Sequence, residues 1–174
     1  MSFRYFFLFI LSGILCIPVF AQQRNHPGIL LKGNETLIIS FKLKKSGKLV
    51  TVCRDTNHKY LVYRFGTKDS IELQYPAILD MTSWKKFSYS GYFRHGGKEN
   101  AGLYDYALDF ENNGAHYSIE ESWNSEEEDK FYLQIVITEG IKKIIVKGDT
   151  KSQEFSLYGL LDEDSLLHNK AFDK

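Results

Sequence analysis

The segment Tyr92-Phe93-Arg94-His95-Gly96-Gly97-Lys98-Glu99-Asn100-Ala101-Gly102 gathers the side chains best suited to holding a ligand. Paired glycines let backbone N–H groups converge on a bound group. Arg94, His95 and Lys98 add positive charge beside Glu99 and Asn100, and Tyr92 adds an aromatic face. An anionic or sugar-like ligand suits that chemistry. The expected contact residues are Tyr92, Arg94, His95, Gly96, Gly97, Lys98 and Asn100. The competing reading is a long hairpin loop whose glycines solve a turn problem and whose charges are simply solvated.

Other chemistries find less support. Histidine occurs at His26, His58, His95, His116 and His168, with no HExxH or HxH spacing and no cysteine partner, so neither a metal site nor a cofactor is expected. Asp105, Asp109 and His116 can approach one another across a hairpin, but Asp105 and Asp109 share a strand face and are expected to point at water. Glu99, Glu120 and Glu121 are the candidate acid and base of a carbohydrate-active hydrolase, although no spacing fixes two of them at a working separation. The acidic run Glu126 to Asp129 suits a solvated loop that protects a sheet edge. No GxSxG, GxxxxGK[ST] or GxGxxG pattern occurs, which argues against serine-nucleophile and nucleotide chemistry. Tyr60, Trp84, Tyr92, Tyr117 and Trp123 offer an exposed aromatic platform, against the alternative that most of them are core or cross-strand partners.

The elements that must position these residues are strands. TLIISFKL and KLVTVC alternate around Ser46-Gly47 and predict a hairpin. KYLVYRFG sets Leu61, Tyr63 and Phe65 on one face and Tyr60, Val62 and Arg64 on the other, and turns at Gly66 to Asp69 into SIELQYP. AILDMTSW is either an extended crossover or one helical turn. KKFSYSGYFRH alternates into the glycine-rich loop. LYDYALDFE and AHYSIEESW flank Asn112-Asn113-Gly114, whose Asn-Gly step supplies the positive φ angles of a tight hairpin. KFYLQIVIT and IKKIIVKGD form a further pair around Glu139-Gly140, and DEDSLLHNKAFDK ends the chain as a short helix or a frayed tail. Nine or ten short strands without a crossover helix predict an all-β fold, an antiparallel β-sandwich or a small β-barrel. No fixed-length repeat or linker divides it, so one domain is expected over residues 22–174.

The beginning of the chain has the pattern of a secretory leader. Arg4 precedes an apolar run from Tyr5 to Ile17, Pro18 breaks it, and Val19 and Ala21 stand where signal peptidase needs small residues, which predicts a signal peptide over residues 1–21. The run falls short of the ~20 residues that span a bilayer, and Gly13-Ile14-Leu15 before Cys16 is a poor lipidation signal. With the leader removed, Cys53 is the one cysteine, so no internal disulfide is expected and the core must hold the fold. The chain carries 22 basic and 22 acidic residues, which leaves no field to recruit nucleic acid or an anionic membrane.

Over Tyr60 to Pro76 (YLVYRFGTKDSIELQYP) and Tyr89 to Glu121 (YSGYFRHGGKENAGLYDYALDFENNGAHYSIEE) the chain resembles a group of small exported bacterial proteins without an assigned activity. More loosely it is similar to periplasmic lysozyme inhibitors, small β-barrels that block a carbohydrate-cleaving enzyme with a loop. The resemblance implies a periplasmic or secreted β protein. The expected function is a non-enzymatic binding or inhibitor-like module of the cell envelope, with an envelope protein or glycan as partner. A carbohydrate-active hydrolase and a purely structural envelope component are the alternatives.

Overall fold

The computed structural model describes residues 30–127, 131–163 and 165–169. The leader and its cleavage point therefore lie outside the described residues, as do the last two residues of the acidic run, Glu128 and Asp129. Ten strands follow one another: β1 (Glu35–Leu43), β2 (Leu49–Asp55), β3 (Leu61–Thr67), β4 (Ser70–Tyr75), β5 (Phe87–Arg94), β6 (Leu103–Asn112), β7 (Ala115–Asn124), β8 (Phe131–Glu139), β9 (Lys142–Phe155) and β10 (His168–Asn169). They form one sheet in the order β10-β5-β6-β7-β8-β9-β1-β2-β3-β4. Nine are antiparallel, and the sheet curls into a half-barrel. β10 adds a short parallel pairing to β5.

Alternation decides which way the sheet curls. Val50, Val52, Leu61 and Tyr63 on one side, and Phe87, Tyr89, Leu108, Phe110, Ile119 and Ile135 on the other, all bury on the concave face. Rings from the two ends of the sheet meet there. Tyr63 of β3 and Tyr75 of β4 approach Phe110 of β6 with centroids 5.0 and 4.5 Å apart, and Tyr75 meets Phe87 of β5 edge-on at 5.5 Å. Such contacts add to the burial of large apolar area. Among the described residues the ladder itself stays open between β4 and β10.

The connections follow turn chemistry. Asn113 and Gly114 take φ of 51° and 78°, as a two-residue hairpin turn requires. The undecided AILDMTSW segment ends in a 3₁₀ turn over Met81–Lys86, started by Asp80, whose carboxylate accepts from Thr82 N. It carries Trp84 into the core, where the indole N–H donates to His58 O at 2.9 Å. β9 outruns its apolar pattern: residues up to Lys147 pair with β8, and residues from Gly148 to Phe155 pair with β1. At the changeover Gly148 lies so close to Phe41 that an added Cβ would stand 2.8 Å from Phe41 Cδ2. After β9 a second 3₁₀ turn, Leu157–Leu160, drops two fully buried leucines into the core. Of the segment expected to be a short helix or a tail, the described part is turn followed by β10. Among the described residues no helix is long and apolar enough to cross a membrane.

Candidate functional site

The β5–β6 connection closes on itself. Arg94 Nε donates to Ala101 O at 3.0 Å, and Gly97 N donates to Asn100 O at 2.9 Å. Gly96 and Gly102 let the two limbs approach: a Cβ on Gly96 would lie 3.1 Å from Gly102 N, and one on Gly102 would lie 3.2 Å from Trp123 Cζ3. Ser125 ties the loop to the far end of β7, its Oγ accepting from Gly102 N while its own N–H donates to Gly102 O. Gly96 and Gly102 thus serve close packing, and the amides of Gly97 and Gly102 are spent inside the structure rather than presented to a ligand. Every residue from Tyr92 to Asn100 is exposed. The expected contact residues Tyr92, Arg94, His95, Gly96, Gly97, Lys98 and Asn100 therefore all lie at one end of the half-barrel.

Register builds an aromatic row beside that loop. Phe93 pairs with Tyr104, Tyr104 with Trp123 and Trp123 with Phe131, so β5, β6, β7 and β8 each place one ring in a line across the concave face. Tyr104 and Trp123 have centroids 6.0 Å apart, and Trp123 and Phe131 6.3 Å apart. His95 sets its ring edge-on to Phe93 at 4.8 Å, and Tyr158 of the second 3₁₀ turn touches both Phe93 and Tyr106. Phe93, Phe131 and Tyr158 remain 44%, 57% and 52% exposed. That is a large apolar surface to leave in water unless something covers it.

Glu121 anchors the turn beside the row. Buried at 2% exposure, it accepts hydrogen bonds from Gln153 Nε2, Ser156 Oγ and Leu157 N at 2.7, 2.9 and 2.8 Å, which fixes the turn that presents Tyr158. Burial, and then the charge of Glu121, push the Tyr104 hydroxyl up to about 12, so it stays a neutral donor.

On the convex side of the same rows, Tyr92 stands opposite Asp105, Asp105 opposite Ser122, and Ser122 opposite Tyr132. A hollow of about 190 Å³ opens at this rim, lined by Tyr104, Asp105, Ser122, Trp123 and Tyr132 among others. Partial burial, and then the charge of Glu120, raise the Asp105 carboxyl above its usual value.

The remaining candidates separate. Glu120 and Glu121 are neighbours on β7 and point to opposite faces, Glu120 bonding Gln134 at 2.7 Å on the convex side. They cannot flank one scissile bond, and Glu99 is exposed in the loop. His116 does reach Asp109, at 3.5 Å, and Glu111, at 2.8 Å, but Asp105 takes no part. Asp109 is also buried rather than turned to water, with the His116 ring against it. The five aromatics expected as a platform do not form one. Tyr60 and Trp84 are buried at 8% and 1%, and Tyr117 stacks on Phe110 at 4.9 Å. Tyr92 and Trp123 lie at the loop end. Among the described residues no group of three or more His, Cys, Asp or Glu gathers as a metal site would.

A second polar cluster lies on the convex face of β1–β3. Arg64 binds Glu35 through both ends of its fork, at 2.6 and 2.7 Å, with both side chains fully buried, and donates to Leu30 O at 3.0 Å. Tyr60 and Cys53 also donate to Glu35. Burial, and then the Glu35 charge, push the Cys53 thiol far up, which makes it inert as a nucleophile. This cluster fastens the entering chain to the sheet.

No protein-family model, curated protein or solved structure matches the chain.

Proposed function

We propose that the protein is an exported, non-enzymatic binding or inhibitor-like module of the bacterial cell envelope, working in the periplasm or outside the cell. It engages an envelope glycan or protein with the end of an incomplete small barrel where the glycine-rich loop meets the aromatic row. The observation that carries this reading is the row itself. Phe93, Tyr104, Trp123 and Phe131 are aligned by strand register and left partly in water, with Tyr158, on the turn that Glu121 fixes, against Phe93. Rigid aromatic surface of this kind supplies much of the affinity in recognition sites at small entropic cost. The loop fits the same role as a specificity element, since scaffolded loops commonly carry contacts.

Retention of the purified protein on insoluble peptidoglycan, and inhibition of lysozyme by the same sample, test the reading. The variant with Phe93→Ser and Phe131→Ser changes two half-exposed rings and should keep its melting temperature. Retention or inhibition should fall at least about tenfold, the loss of one good contact. Retention and inhibition both absent in the parent protein, or both unchanged in the variant, would remove this end as the contact surface. Steady release of reducing ends would replace the binder with a hydrolase.

A further inference from the structure

We propose that the projecting end of the β8–β9 hairpin, with the neighbouring β1–β2 turn, is a docking surface for an anionic phospholipid bilayer. This surface stands apart from the loop end and does not depend on the binding reading above.

Topology sets the surface apart. β8 and β1 both run antiparallel to β9, so the β8–β9 and β1–β2 turns leave the sheet on the same side, opposite to the β5–β6 loop. The register with β1 begins at Gly148, so the stretch of β9 from Lys142 to Lys147 reaches past the β1–β2 turn with β8 as its ladder partner. At ~3.4 Å per residue this overhang is roughly 20 Å long. Lys44 N donates to Lys147 O at 2.9 Å, which joins the turn to the base of the overhang. Charge collects there. Lys44, Lys45, Lys142, Lys143 and Lys147 are all exposed, and Glu139, opposite Lys142, is the one carboxylate in residues 44–48 and 139–147. Lys143 and Lys147 stand opposite the uncharged Thr138 and Gln134, while Lys48 already meets Glu72 at 2.6 Å. The balance of 22 basic and 22 acidic residues thus conceals a local positive excess. An anionic leaflet attracts such a cluster within about a Debye length.

Apolar side chains choose among anionic partners. Ile141 in the turn is fully exposed, and Ile144 and Ile145 are exposed beside it. Alternation sets Lys143, Ile145 and Lys147 on the convex face, so a flat surface laid along the overhang meets basic and apolar groups by turns. Lysine stems can lie along an apolar layer while their ammonium groups stay with the phosphates. Guarding an open strand edge accounts for the lysines alone. It does not account for Ile141, which sits in the turn outside the ladder. A nucleic acid or another soluble polyanion would use the lysines and leave the isoleucines in water, and a second copy would bring lysines against lysines. Anionic headgroups over hydrocarbon satisfy both kinds of side chain.

The test places a polarity-sensitive nitrobenzoxadiazole label at Ile141→Cys of the full chain, in a Cys16→Ser background whose remaining cysteine, Cys53, is buried. A control carries the label at Lys98→Cys, in the loop at the other rim. Both are titrated at low salt with vesicles of mixed phosphatidylglycerol and phosphatidylcholine, and with vesicles of phosphatidylcholine alone. The expected result is a brighter, blue-shifted label at residue 141 on the anionic vesicles and an unmoved label at residue 98. Adding Lys142→Ser and Lys143→Ser should weaken that response at least about tenfold, since each lysine near an anionic surface is worth about fivefold, with the melting temperature unchanged. Silence at residue 141 on the anionic vesicles overturns the docking surface. So does an equal response on phosphatidylcholine alone, an equal response at residue 98, or a response that survives the loss of both lysines. Capture of the protein by heparin with the label at residue 141 unmoved on vesicles would give the lysines to a soluble polyanion, and overturns it too. Failure of the binding reading shows separately, as unchanged retention when Phe93 and Phe131 are replaced.

Discussion

The most heavily committed residue pair lies away from the loop end. Burial alone would raise the Glu35 carboxyl, but hydrogen bonds from Arg64 and from Lys32 N, together with the Arg64 charge, outweigh it and leave the group below its ordinary value. A depressed carboxylate contributes stability that is present above its unfolded pKa and lost as pH falls through the folded one. Acid should therefore unfold the parent protein at a pH below the ordinary glutamate range. Glu35→Gln should unfold without that pH dependence. Arg64→Met strands a buried carboxylate and should cost about 3–5 kcal/mol at neutral pH in urea melts. The double variant Glu35→Leu with Arg64→Met should recover most of that loss. A single variant as stable as the parent would show that the pair is hydrated. Alternation placed Arg64 opposite Leu61, Tyr63 and Phe65, which was right about the face. It was silent on the cover, because period two reports direction and not what lies above: here Leu30 O and the Glu35 side chain arrive from chain more than twenty residues earlier.

At the scale of elements, the site was half legible. With Asn113-Gly114 fixed as a two-residue turn, Asn112 must pair with Ala115, and counting outward brings Tyr104 onto Trp123. The same counting separates Glu120 from Glu121 by face. Phe131 could not be reached in this way, since the acidic segment before it has no defined turn chemistry to set the register of β8. Tyr158 was equally hidden, because Ser156 and Glu121 position it across a sequence separation of 35 residues. Alternation predicts a β9 that ends near Asp149, short of its observed end at Phe155, for a related reason. TKSQEF has no apolar alternation, and its strand form comes from pairing with β1, Ser152 Oγ accepting from Lys42 N at 2.8 Å. Gly148 makes that passage possible by letting Phe41 and Leu133 close over the backbone. Gly148→Ala should force both side chains off their positions and cost about 1–3 kcal/mol by overpacking. A chemical melt reads this directly, and a neutral result would mean that β9 bends elsewhere.

For the whole molecule the consequential feature is that the sheet curls without closing its ladder, so one end of the core needs a plug. Leu157 and Leu160 at 0% exposure and Leu167 at 6% supply it, and Glu163 bolts the segment to β2 through Arg54 at 2.8 Å. The all-β class and the hairpin order were legible because each hairpin is local. The plug was not, because three leucines among acidic residues near a chain end look the same whether they pack or fray. Replacing Leu157 and Leu160 together with alanine should remove about 4–8 kcal/mol, taking the lower part of the range measured for buried Leu→Ala changes. That rivals the whole stability of a typical domain, ~5–15 kcal/mol. The expected outcome is loss of the cooperative melt with strong binding of a hydrophobic dye, while far-ultraviolet circular dichroism keeps its strand signal. Glu121 would lose its hold on Leu157 N and Ser156 in the same event, releasing Tyr158 from the aromatic row. Any ligand contact at the loop end should therefore weaken in parallel with the melt. A variant that melts like the parent but no longer retains ligand would instead separate the plug's support of the aromatic row from its support of the core.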